Sequence, residues 1–125
     1  MLAVALTGAL VLIAALTLFQ VALIFGAPLG RFAWGGAHRV LPVRLRVGSI
    51  VSVVLYAGFA VLLLSRAGVI AGGELPVVVV LCWVLFAYFV IGILLNAISR
   101  SPAERWTMTP VCVMLAGMTL IVALS

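Results

Sequence analysis

Between Leu2 and Phe25 the chain carries no charged side chain, and three later runs share that property: Val47–Leu64, Leu75–Ala97 and Met108–Leu124. A helix that crosses the hydrocarbon of a bilayer needs about 20 mostly apolar residues. Four runs near that length leave little chain for anything else. Inside lipid every backbone polar group must find its partner within the fold, so only helices or closed barrels span. Barrel strands alternate apolar and polar residues over segments of about 10, and these runs are too long and too uniformly apolar for that. A soluble alternative fails on composition. The chain is 68% hydrophobic, against about 45–50% for ordinary domains, and carries only seven arginines and two glutamates with no Lys or Asp. The expected fold is therefore an all-α membrane protein, a four-transmembrane-helix antiparallel bundle. It forms one domain over 1–125, with spans at about 2–25, 43–66, 75–98 and 103–124 and arginine-bearing loops at 26–42 and 99–102.

Stop and start chemistry punctuates the runs. Gly26-Ala27-Pro28 should end the first helix, because proline cannot continue a hydrogen-bonded helix interior. Pro42 suits the first turn of the second helix, and Gly68, Gly72 and Gly73 mark the turn that follows it. Glu74 and Pro76 open the third helix, with the anion near its positive end. Ser101-Pro102-Ala103-Glu104 has the form of a capping box, so helices three and four should be antiparallel neighbours across a short hairpin. Pro110 should kink or weaken the fourth helix near Trp106.

The arginines set an expected orientation. Arg31, Arg39, Arg44 and Arg46 fall between helices one and two, and Arg100 and Arg105 between three and four. The remaining connection sets Arg66 against Glu74. The positive-inside rule then puts the first and third loops in the cytoplasm and both termini outside. Trp34 and Trp106 fall at that boundary, where amphipathic rings favour the headgroup layer. The amino terminus lacks a positive n-region, so the first helix is expected to be an uncleaved anchor of a multi-pass protein of the inner or plasma membrane. The all-arginine basic set, with abundant Ala, Val, Leu and Gly, suggests a bacterial, GC-rich source.

Two groups of residues are candidate sites. The first is the cytoplasmic arginine face, Arg31, Trp34, His38, Arg39, Arg44, Arg46 and Arg100, as a contact for anionic lipid or an acidic partner. The competing explanation is that these arginines only fix topology. The second is a polar groove of Gln20, Tyr88, Asn96 and Ser99; Tyr88, Gly92 and Asn96 recur every fourth residue along one face of the third helix. Here the competing explanation is packing, since small and polar residues glue membrane helices together. Cys82 and Cys112 have no metal or redox spacing and are expected to be reduced, apolar filler. No ionisable group lies in the middle third of any run, and His38 is the lone histidine. Proton-coupled transport, intramembrane proteolysis and metal catalysis therefore lack their usual residues, and no catalytic residue, cofactor or metal is expected. The net charge of +5 needs no nucleic-acid partner, because arginines beside apolar helices find anionic headgroups.

The strings Gly35-Gly36-Ala37-His38-Arg39-Val40-Leu41-Pro42 and Asn96-Ala97-Ile98-Ser99-Arg100-Ser101-Pro102 resemble those of small four-span bacterial membrane proteins, a group with no assigned activity. The resemblance implies the four-helix topology over most of the chain and nothing about ligand or site. The expected function is binding, as an accessory or assembly subunit of a larger membrane complex. Partners would be membrane lipids and other membrane subunits or further copies of the chain. Two alternatives stay open: a passive channel or small-molecule carrier formed by an oligomer, and a lipid-binding or lipid-modifying protein.

Overall fold

Four helices carry almost the whole chain in the computed structural model, which describes residues 1–125. They are α1 (Leu2–Ile24), α2 (Val43–Arg66), α3 (Pro76–Ala97) and α4 (Pro102–Ala123), and there is no strand. Each is long and apolar enough to cross a bilayer. At 1.5 Å per residue the shortest, at 22 residues, spans about 33 Å, just over the hydrocarbon thickness. The protein is a multi-pass four-helix membrane bundle. Its even number of antiparallel spans puts both termini at one end and the arginine-rich connections at the other.

The helix ends show why the chain turns where it does. α1 closes in a Schellman motif, with Gly26 N–H donating to Leu23 O at 3.1 Å and Ala27 N–H to Ala22 O at 3.0 Å. α2 closes the same way, through Gly68 to Ser65 at 3.1 Å and Val69 to Leu64 at 3.0 Å. At the start of α4 the Ser101 hydroxyl accepts from Glu104 N–H at 3.3 Å, satisfying one of the helix's free donors. Pro110 lies inside α4, and the helix continues through it to Ala123.

Helices adjacent in sequence also lie side by side, but the seams differ. α3 packs closely on α4, and α1 packs on both α2 and α4, whereas α2 and α3 touch sparsely. The buried core joins Ala9 and Ile13 of α1, Tyr56 and Leu63 of α2, Leu85 and Phe89 of α3, and Leu115 of α4. A smaller cluster of Leu23, Ala33 and Leu41 fixes the long α1–α2 connection against the bundle end. The outward faces carry exposed Val, Leu and Ile, such as Val11, Leu18, Val77 and Leu94, as a bilayer-facing surface demands.

Candidate functional site

The α1–α2 connection folds back over the end of the bundle and roofs a cavity. Two short 3₁₀ turns, Gly30–Phe32 and Trp34–Gly36, shape it. Trp34, Gly35 and Gly36 all adopt positive φ, at 52°, 78° and 74°. A tryptophan rarely takes that conformation, and it persists only where surrounding contacts determine it. Those contacts are present. The Trp34 indole N–H donates to Ser49 Oγ at 3.4 Å. Its ring lies on Gly48, where a Cβ would meet the ring at 2.8 Å, so α2 accommodates the indole only because position 48 has no side chain. On the α4 side the Ser101 hydroxyl donates to Arg31 O. Gly36 sits so close to Ser101 that a Cβ would stand 2.3 Å from it, which with its positive φ leaves glycine as the fitting residue.

Beneath this roof lies a cavity of about 510 Å³ bordered by all four helices. That falls in the range of small-molecule sites, about 300–1,000 Å³. Its deeper walls are apolar, with Leu16, Phe89, Val111 and Leu115. Its mouth is edged by the exposed Tyr88, Ile91 and Leu95 of α3 and by Trp34 and Gly35 of the roof. The polar lining gathers near the arginine-rich end: Gln20, Ser52, Tyr56, Asn96, Ser99 and Glu104.

The bonding state of these polar groups is uneven. Asn96 spends its amide N–H₂ on Gly92 O at 2.8 Å and on Cys112 Sγ at 3.4 Å, which leaves its oxygen free to accept. Gln20 is only 8% exposed, and its amide oxygen has no hydrogen-bond partner. Such a buried, unmet polar atom costs about 1–3 kcal/mol unless something else satisfies it. Glu104 is also 8% exposed, and one carboxylate oxygen accepts a long bond from Gly35 N–H at 3.4 Å. The arginines direct their bonds elsewhere: Arg46 to Leu41 O at 2.8 Å, Arg105 to Ser99 O at 3.1 Å and Arg66 to Gly73 O at 3.3 Å.

A second hollow of about 560 Å³ runs along the α2–α3 seam toward the end that holds the termini. It is walled by residues such as Leu55, Gly58, Phe59 and Leu62 of α2 and Leu81 and Leu85 of α3. Tyr88 lines both hollows. Phe59 stacks obliquely against Tyr88 with ring centres 5.3 Å apart and meets Phe89 edge-on at 5.9 Å. These rings are the main bridge between α2 and α3, and they separate a polar-ended chamber from an apolar trough.

The four groove residues expected from the sequence, Gln20, Tyr88, Asn96 and Ser99, line this one cavity together. The expected arginine face is distributed differently. Arg31, Arg39, Arg44 and Arg100 are exposed at the same end, with Arg31 stacked over Phe32 at 4.8 Å. Arg46 folds inward along Gly26 toward Leu41 O, and His38 is half-buried with an unpartnered Nδ1. Of that face only Trp34 lines the cavity. Sequence reasoning did not find Glu104 as a site residue, having given it a capping role alone; the proximity of Gly35, distant in sequence, is what brings it into the cavity. Cys112, expected from the sequence to be apolar filler, lines the cavity too, as do Ser52 and Tyr56 of α2, because periodicity alone does not separate a packed face from a cavity wall. No family model, curated protein or solved structure matches the chain.

Proposed function

We propose that this membrane protein acts by binding, and that its ligand is a single-chain amphiphile from the surrounding bilayer. The observation that carries this reading is the contrasting polarity of two hollows that share Tyr88 as a wall. Polar groups cluster at the headgroup-level end around Glu104, Gln20 and Asn96, and on the other side of Tyr88 lies an apolar trough between α2 and α3, which an alkyl tail would enter past that ring. A head in the first and an alkyl tail in the second would match both linings. The sparse α2–α3 seam supplies a lateral way in from lipid. Photolabelling with an alkyl maltoside bearing a diazirine in its tail tests this. Adducts should concentrate on Phe59, Leu81 and Tyr88 and should be displaced by excess unlabelled maltoside. Adducts spread evenly over the outward Val11, Leu18 and Val77, with no competition, would overturn it.

A second reading concerns the arginine-rich end, and the exposure of Arg31, Arg39, Arg44 and Arg100 on one end of the bundle favours it. We infer that this end faces the cytoplasm, with both termini outside, and engages anionic headgroups or the acidic surface of a partner subunit. Each basic residue near an anionic surface contributes about 1 kcal/mol before salt screens it. Replacing Arg39 and Arg44 with Gln should weaken binding to anionic vesicles and flatten its salt dependence. Unchanged binding at low and high salt would assign those arginines to topology alone.

A further inference from the structure

The polar end of the cavity carries the sign opposite to the molecule's net charge. The chain has a formal net charge of +5, yet none of its seven arginines lines the cavity. The one charged lining residue is Glu104, placed in the first turn of α4, where the helix dipole favours an anion. Its carboxylate has capacity for about four hydrogen bonds, and its protein donor is the single long contact from Gly35 N–H at 3.4 Å. A charge this deeply buried normally has an ionic or strongly hydrogen-bonding partner.

The neighbouring groups have the same need. Asn96 presents an accepting oxygen, because both its donors are directed at Gly92 and Cys112. That assignment is secure chemically, since a backbone carbonyl can only accept. Gln20 lines the cavity as well, with an amide that carries both an acceptor and donors. The Tyr56 and Tyr88 hydroxyls and the Gln20 amide can serve either role, so the groups with a fixed role are the Glu104 carboxylate and the Asn96 oxygen, both acceptors. What this lining lacks is a donor with positive charge.

We propose that the cavity recognises an ammonium headgroup, that of an alkylamine or an amino-lipid, with Glu104 as counter-ion and the Asn96 oxygen as a further acceptor. This rests on the amphiphile reading above and adds the charge of the head. It also runs against the mean field of the protein, which attracts anions, so a cation preference would report the local carboxylate and not the net charge.

The test compares three competitors of equal chain length in nanodiscs of neutral phosphatidylcholine: dodecylammonium, dodecyl maltoside and dodecyl sulfate. Each is titrated against the tail-diazirine maltoside label. A charge-assisted hydrogen bond in a site shielded from water should let dodecylammonium displace the label at a mole fraction lower than maltoside by on the order of tenfold. Glu104→Gln, which keeps the shape and still accepts from Gly35, should remove that advantage, so that dodecylammonium displaces the label no better than maltoside does. A thermal unfolding midpoint in mild detergent close to the parent's shows that the variant is folded. Glu104→Asp keeps the charge and should retain part of the preference. Dodecyl sulfate matching or beating dodecylammonium, or a cation preference that survives Glu104→Gln, would overturn the ammonium assignment and leave the amphiphile reading standing. Failure of all three competitors to displace the label would overturn both.

Discussion

The α3–α4 and α2–α3 seams are built from the same apolar alphabet and behave differently. Across α3–α4 the backbones come close at Gly92, where a Cβ would stand 3.2 Å from Cys112 Sγ, and the Asn96 amide reaches the same sulfur at 3.4 Å. Across α2–α3 the bridge is aromatic, Phe59 against Tyr88 and Phe89, with hollows on either side of it. Lipid tails are as apolar as leucine, so burial from water does not drive such helices together. Close approach then needs a small residue and some polar glue, and α3–α4 has both. Bulky rings hold α2 and α3 apart like spacers, and the gaps they leave can accept a guest. The difference separates scaffold from site.

The largest effect should come from overfilling the tight seam. Gly92→Leu forces a branched side chain into the space of Cys112, and overpacking of this kind costs about 1–3 kcal/mol. Thermal unfolding in mild detergent should show a clear fall in midpoint. A variant as stable as the parent would mean that α3 and α4 are not locked at this point.

The same substitution at the open seam should act on binding and spare stability. A Cβ at Gly58 meets nothing within 4 Å, and the residue borders the apolar trough. Gly58→Leu should leave the midpoint within about 0.5 kcal/mol of the parent in stability terms. It should nonetheless abolish competable tail labelling on Leu81 and Tyr88, because the leucine would occupy the tail's space. Equal destabilisation by the two leucines would erase the contrast between the seams.

Much of the scaffold was legible in the chain because its determinants are local. Long apolar runs specify helices in lipid, Gly26 and Gly68 close them through neighbouring carbonyls, and Ser101 caps a helix three residues away. The groove residues Tyr88 and Asn96 were legible from their spacing on one helix, and Gln20 as the most polar residue of an uncharged run. The seams were not, since nothing in the pattern of α2 says that Phe59 will meet Tyr88 and Phe89 of α3. Glu104 shows the limit most clearly. Its bond to its own cap spans three positions and is visible in sequence, whereas its bond to Gly35 depends on a loop folding over the bundle with Trp34 in a left-handed conformation. The arginines displayed their end of the molecule but not their separation from the cavity.

The smallest effect should come from the polar glue, and it decides how the tight seam is held. Asn96 crosses to α4 through one bond, 3.4 Å long, to a sulfur, which is a weak acceptor. Interhelical hydrogen bonds in membranes average about 0.6 kcal/mol, and this one should fall at or below that figure. A double-mutant cycle over Asn96→Ala and Cys112→Ala isolates the pair, because each alanine removes one side of the bond. The expected coupling is about 0.5 kcal/mol, well under the cost of Gly92→Leu. A coupling above about 2 kcal/mol would exceed the largest values measured for such bonds and would make hydrogen bonding, not the absent side chain at Gly92, the cause of close packing. Zero coupling, with Asn96→Ala still weakening dodecylammonium binding, would assign the amide wholly to the cavity. Its N–H₂ bonds would then serve to aim its oxygen at the ligand, and the tight seam would rest on Gly92 alone.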